Sequence, residues 1–163
     1  MRPKPTEKLD PRAKNVWRIN DGLLIVCLTA GALAAEMLFG AMIEDPAFAS
    51  TLLMPTAVLG AVCLAVWLVA IPPIRYARWR YQVTPEFLDI EKGIIWRQRI
   101  IVPFIRVQNT DTRQGPILRA FHLASVTVST AAQEHEIPCL SEQVAEQLRD
   151  KAAEFARLAR EDV

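Results

Sequence analysis

Two stretches of the chain are almost free of charge, while the rest alternates between apolar and polar positions. Residues 23–43 carry one charged side chain, Glu36, and residues 52–74 carry none. A bilayer core of about 30 Å takes about 20 helical residues at about 1.5 Å each, so each stretch is long enough to span a membrane. The connection, residues 44–51, is short and contains Pro46. That predicts an antiparallel helical hairpin that turns there. Pro55 falls in the first turn of the second span, where a missing N–H does little harm, and Pro72 and Pro73 are expected to end it.

From residue 79 the helical period gives way to short alternating runs. Strands are expected at 80–84, 87–91, 96–102, 107–112, 125–130 and 135–137, punctuated by Lys92-Gly93, Pro103, Gln114-Gly115-Pro116 and Pro138. In the fifth run Val126 and Val128 should face inward, and Ser125, Thr127 and Ser129 outward. Short strands at this spacing suggest a small antiparallel sandwich or barrel. Residues 75–140 make only a thin core, so the segment 141–163 is expected to cover it as a helix. Ser141 is its N-cap, Glu142 and the pair Arg157 and Arg160 complement its dipole, and Val144, Leu148, Ala152, Phe155 and Leu158 form its apolar stripe.

Charge sets the orientation. Arg2, Lys4, Lys8, Arg12, Lys14 and Arg18 lie in the basic segment 1–22, and Arg75, Arg78 and Arg80 follow the second span. The loop between the spans offers Glu44 and Asp45 instead. Both termini should therefore be cytoplasmic, with Trp17, Tyr76, Trp79 and Tyr81 at headgroup depth. The acidic residues Glu7, Asp10 and Asp21 before the first span argue against its being a cleaved signal peptide. Nineteen basic residues against eighteen acidic ones are not the excess of a nucleic-acid binder.

Small residues recur at four-residue steps inside the spans. Cys27, Gly31 and Ala35 share one face and Ala57, Ala61 and Ala65 another, and these two faces are candidates for the hairpin seam. Two readings stand for Glu36. An acid inside a membrane is a functional candidate by default, and an acid near the outer end of a span also reaches the interface or pairs with a neighbouring helix.

No catalytic constellation emerges. His122 and His135 have no nucleophile and acid at suggestive spacing, and His135 with Cys139 would need a further metal ligand. Six glycines provide no phosphate-binding loop. The chain is therefore expected to be no enzyme and to need no cofactor or metal. The three cysteines Cys27, Cys63 and Cys139 suit no disulfide framework.

The run Ile101-Val102-Pro103, then Ile105-Arg106-Val107-Gln108, then Gly115 to Phe121, Leu123-Ala124, Val126 to Thr130 and Ile137-Pro138, resembles the bacterial pleckstrin-homology (PH) proteins of the membrane-flanked, YdbS-like type. The resemblance implies a two-span transmembrane helical hairpin followed by a PH-like antiparallel β-barrel or sandwich capped by a C-terminal helix. In that family the barrel is seven-stranded and partly open. His122 stands where the family usually has glycine, a position expected to carry positive φ at a cost of about 1 kcal/mol. The resemblance also implies a larger membrane relative or self-association as partner, and a role in envelope stress or resistance to membrane-active agents.

Phosphoinositide binding is not expected, because the first hairpin turn is Thr84-Pro85-Glu86, followed by Asp89 and Glu91. From Tyr81 onward ten basic residues face twelve acidic ones. Arg75, Tyr76, Arg78, Trp79 and Arg80 can hold membrane lipids at the inner leaflet, beyond acting as the topogenic signal. Arg106, Gln108 and Arg119 serve either partner docking or the backbone groups at the bends beside Pro103 and Pro116. The function expected is a non-catalytic, membrane-tethered assembly module. A subunit of a small transport or pore assembly and an anionic-lipid-sensing module are the alternatives.

Overall fold

The computed structural model describes residues 4–44 and 46–161, so Arg2 and Asp45 of the charge argument lie outside the described residues. Residues 17–73 form one compact unit, and the residues up to Val16 together with those from Ile74 onward form a second.

The helical unit consists of most of α1, Ala13–Met42, and of α2, Pro46–Arg78. Both helices are long and apolar enough to cross a membrane. The apolar spans are the inner parts of these longer helices. Between Pro11 and Gly22 nothing breaks a helix, so α1 starts well before its apolar run. Pro46 opens α2 rather than interrupting it, which leaves Pro55 in the interior instead of the first turn.

Nor do Pro72 and Pro73 end the helix, which continues to Arg78. Pro72 removes the N–H that would meet the Leu68 carbonyl, and Arg18 Nε donates to that carbonyl at 3.2 Å. In an apolar medium a backbone group freed by proline needs such a substitute.

The seam of the hairpin is not the one the small-residue spacing suggested. Cys27, Gly31, Ala35, Ala57, Ala61 and Ala65 are all exposed. The covered line runs through Gly22, Ile25, Thr29, Leu33, Glu36 and Gly40 on α1, and through Leu53, Thr56, Gly60, Leu64 and Leu68 on α2. A Cβ on Gly60 would lie 2.5 Å from Thr29 Cγ2, so the backbones meet there closely enough that only glycine fits. A Cβ on Gly22 would touch Leu68 and Leu64 at 3.3 and 3.9 Å. A seam of steps of three and four residues is the seam of two helices packed nearly parallel in axis. The expected stripes have nearly the same spacing but are out of phase with that line, one residue on along α2 and two along α1, so they lie on other faces.

Among the described residues the second unit holds six strands in two antiparallel three-stranded sheets. β1 (Arg80–Val83), β2 (Phe87–Lys92) and β3 (Gln98–Pro103) form the first in that order. A single 3-10 turn, Phe104–Arg106, leads into β4 (Val107–Arg113). A short helix α3 (Pro116–Ala120) precedes β5 (Leu123–Thr130) and β6 (Glu134–Ser141), and β5 is central in the second sheet. The last element is α4 (Glu142–Glu161).

The arrangement is PH-like, with six strands in place of the seven implied by resemblance. The N-terminal segment supplements the first sheet. Glu7 and Tyr81 exchange backbone hydrogen bonds at 3.0 Å, an isolated antiparallel bridge on the outer edge of β1.

Residues 123–128 are buried without a break, so both faces of β5 are covered and its alternation does not sort inside from outside. Ser125 and Thr127 are buried along with Val126 and Val128, against the expectation that they face outward. β6 runs through Pro138 instead of closing there. It is an edge strand, with a register shift opposite Ala124 and Val126, and such strands tolerate a missing donor. Beside that irregularity Cys139 has φ 54°. His122 also has φ 54°, the positive φ expected where the resembled family usually has glycine.

Ser141 caps α4, its Oγ accepting from the Val144 N–H at 3.4 Å. The buried stripe of α4 is Ala145, Leu148, Ala152 and Ala156, while Val144 and Leu158 are exposed. The helix thus lies closer to the sheets than a stripe of large residues would allow. Phe155 contributes from the margin, with its ring 5.6 Å from that of the fully buried Phe104.

Candidate functional site

A groove of about 700 Å³ opens in the β unit beside β3, the 3-10 turn and the β5–β6 turn. Its apolar wall comes from Ile100, Ile101 and Ile105. β3 pairs with β2 on one side, and β3 and β4, although consecutive, belong to different sheets. The 3-10 turn is held by the Phe104 N–H, which donates to the Glu86 carbonyl at 3.0 Å, and by the burial of the Phe104 ring. With that ring turned inward, Ile105 and Arg106 are left on the surface. From the far end of α4, Arg160 Nη2 donates to the Val107 carbonyl at 2.6 Å and closes the end of the groove.

Arg106 and Gln108 both line this groove, whereas Arg119 does not and is exposed on α3. None of the three side chains has a hydrogen-bond partner among the described residues. Beside Pro116 it is Gln114 that is engaged, its Nε2 donating to the Leu123 carbonyl at 3.0 Å and to Glu142 Oε1 at 2.6 Å. Among the lining residues the charges are Arg106 and Arg160, with no carboxylate, and His135 is buried in the wall. Burial, and then the nearby charge of Lys92, hold His135 below its ordinary value of 6.5. The arrangement offers branched apolar side chains, guanidinium donors and a strand edge, the features that bind an extended peptide segment.

Cys139 is buried on β6, and burial pushes its thiol up to about 12, which makes it a poor nucleophile. His135 and Cys139 belong to no group of metal-binding side chains among the described residues.

The aromatic belt expected at the membrane surface is largely internal. Trp17, Trp79 and Tyr81 are 5%, 5% and 3% exposed. Tyr81 sits on β1 opposite Ile90. Tyr76 donates from its hydroxyl to the Leu9 carbonyl at 3.1 Å and receives Lys14 Nζ over its ring at 5.1 Å. Trp79 therefore leaves the set of lipid-facing residues, while Arg78 stays exposed and Arg75 and Arg80 are half-exposed. Trp79 and Tyr81 stand two residues apart, the spacing of one strand face, and Tyr81 lies in β1, within the strand expected at 80–84.

In the helical unit Thr56 Oγ1 donates to Glu36 Oε1 at 2.6 Å. Glu36 Oε2 is buried with no partner. The intramembrane acid thus has the polar companion that the sequence did not reveal, because Thr56 lies twenty residues away on the other helix.

Two polar contacts of the β unit also escaped the sequence reading. Asp89, buried on β2, accepts from Arg99 Nε at 3.1 Å and from Arg99 Nη2 at 2.6 Å. This is a diagonal cross-strand pair, which the β2–β3 register makes possible. Asp10 binds Arg12 at 3.0 Å, and Arg12 Nη1 reaches the Phe121 carbonyl at 2.9 Å. Burial alone would raise the Asp10 value, but hydrogen bonds from Arg12 and its charge outweigh it and hold the carboxyl below the usual range.

A family model described as Bacterial PH domain matches residues 28–156. UPF0699 transmembrane protein YdbS of Bacillus subtilis (strain 168) is 37% identical over 164 residues, covering 100% of both chains. UPF0699 transmembrane protein YdbT of the same organism is 30% identical over 105 residues, which are 61% of this chain but 21% of that protein. No solved structure matches the chain.

Proposed function

The chain belongs to the bacterial PH domain family and to the UPF0699 transmembrane proteins, and from that premise we propose that it is a non-catalytic assembly module tethered to the bacterial inner membrane. The observation that carries this reading is the groove beside β3, where Arg106 and Gln108 stand uncommitted next to exposed Ile101 and Ile105. Its partner is a larger membrane protein of the same family or a second copy of the chain. A relative such as YdbT, of which the matching segment is only 21%, has the form such a partner would take. Both termini lie in the cytoplasm on this reading, as the basic flanks require. Tethering confines the β unit to the membrane plane, so weak groove contacts suffice at the resulting effective concentration. The biological setting would be envelope stress or resistance to membrane-active agents.

The experiment is mild solubilisation of the tagged full chain from its native membrane after crosslinking. A larger family member or a dimer is expected with the native chain, and its yield should fall in Arg106→Glu. Lone monomers from both would sink the reading.

A second reading is favoured by one observation, the buried and unpartnered Oε2 of Glu36. In a transport assembly this carboxylate would take and release a proton or cation, so Glu36→Gln would abolish function without changing the oligomer. In the assembly module Glu36→Gln leaves the phenotype unchanged.

A further inference from the structure

The β2–β3 turn carries the most exposed large apolar side chains of the β unit. Ile95 is 85% exposed and Trp96 86%. The turn is a built feature and no loose loop. Gly93 has φ 118°, and a Cβ there would collide with the Trp96 carbonyl. Arg78 Nη1 donates to the Ile94 carbonyl at 2.6 Å and so fixes the turn against the last turn of α2. Arg78 lies four residues past Ile74, the last apolar residue of the span, or about 6 Å along a helix. The Ile95-Trp96 tip is thereby bound to the short piece of chain that has just left the apolar run.

Beside this tip is a cavity of about 220 Å³ lined by Lys4, Arg78, Arg80 and Arg97, with Glu91 as its one carboxylate. Neither Lys4 nor Arg97 has an ion-pair partner among the described residues. Two exposed apolar side chains next to converging cations match the two layers of a lipid surface, hydrocarbon and anionic headgroup. The acidic excess of the β unit does not oppose this, since its surface charges act over only about 10 Å at ordinary salt.

We propose that the β2–β3 tip inserts Ile95 and Trp96 into the same bilayer the helices span, while Lys4, Arg78, Arg80 and Arg97 hold the phosphate of an anionic phospholipid. The site is distinct from the groove beside β3 and from the acidic β1–β2 turn at Pro85-Glu86, which lies at the opposite end of β2. An indole at headgroup depth and a cationic cradle together give the contact both its depth and its preference for anionic lipid.

The test uses the full chain in nanodiscs of phosphatidylcholine alone or with phosphatidylglycerol, with brominated acyl chains as quenchers of tryptophan emission. Subtracting the Trp96→Phe signal isolates Trp96 from the other tryptophans. Trp96 should be quenched in discs containing phosphatidylglycerol. Spin-labelled phosphatidylglycerol should associate with the protein in preference to phosphatidylcholine, and Arg97→Gln should reduce that preference about fivefold.

Absence of Trp96 quenching in both lipids overturns the proposal. Quenching without any preference for the anionic lipid overturns the headgroup site. Thermal stabilisation by inorganic phosphate in phosphatidylcholine discs, with no lipid preference, assigns the cavity to a free anion and also overturns it. Ile95→Ser, at an exposed position that leaves the fold intact, should weaken the quenching of Trp96.

Discussion

In the β unit Phe104, Leu88, Ile90, Leu123 and Ile137 are all but fully buried, and the large apolar side chains that its strands, turns and α4 leave outside are those of the β2–β3 tip, the groove and the margin of α4. In the helical unit Leu24, Phe39, Met54 and Val69 stay exposed, and what is covered is a line of small, branched and polar residues. The two units have different solvents. Water drives the first to hide its hydrocarbon. Lipid gives the second no such drive, so close backbone contact and hydrogen bonds must join its helices. The same chemical group therefore has opposite meanings in the two units. A large apolar residue marks the core in one and the outside in the other.

The sharpest way to break this contrast is at the two cores. Phe104→Ala should destabilise the β unit by about 3–5 kcal/mol, the usual cost of a buried aromatic, while the helices stay inserted. Hydrogen exchange on the full chain in nanodiscs checks it, with protection lost in residues 80–141 and kept in the spans.

The next largest effect compares two glycines. Gly60→Leu must push aside Thr29 and should cost about 1–3 kcal/mol, whereas Gly31→Leu, with no atom within 4 Å of its Cβ, should be neutral. Unfolding of the hairpin by increasing sodium dodecyl sulfate would separate them.

A smaller effect lies at the polar contact. Thr56→Val should cost the hairpin about 1 kcal/mol in the same titration, and Glu36→Gln, which keeps an acceptor for Thr56, should cost less.

The smallest concerns His135. Its folded-state value lies below 6.5, so the unfolded chain binds the proton more readily. Its contribution to stability is complete above 6.5 and is lost as pH falls below that value through the folded one. The thermal midpoint of the β unit should fall over that window, and less steeply in His135→Gln.

Much of this was legible in the chain and some was not, for local reasons. The two spans, the six strands and the capping helix follow from charge and periodicity, which act over a few residues. Arg106 and Gln108 could be singled out because they sit between proline bends, and both line the groove. Arg119 was singled out beside Pro116, but it lies on α3 and does not line the groove. The seam failed because Thr29, Gly60, Glu36 and Thr56 are recognisable only in pairs across two helices. The headgroup placement of Trp79 and Tyr81 failed because the arginines beside them look like a membrane rim, although Tyr81 falls in the strand expected at 80–84. Ser125 and Thr127 failed because alternation speaks of one face only, and β5 is covered on both.

Pro138 on β6 has a consequence for copies that share one membrane. A bare sheet rim invites a neighbour's rim, and proteins confined to a plane meet rim to rim far more often than proteins free in solution. Here proline removes one donor, the strand is irregular beside it, and the Cys139 carbonyl already accepts from the Asp10 N–H at 3.1 Å. A ladder arriving at that side finds its rungs missing, so crowding does not string the molecules into fibrils along it.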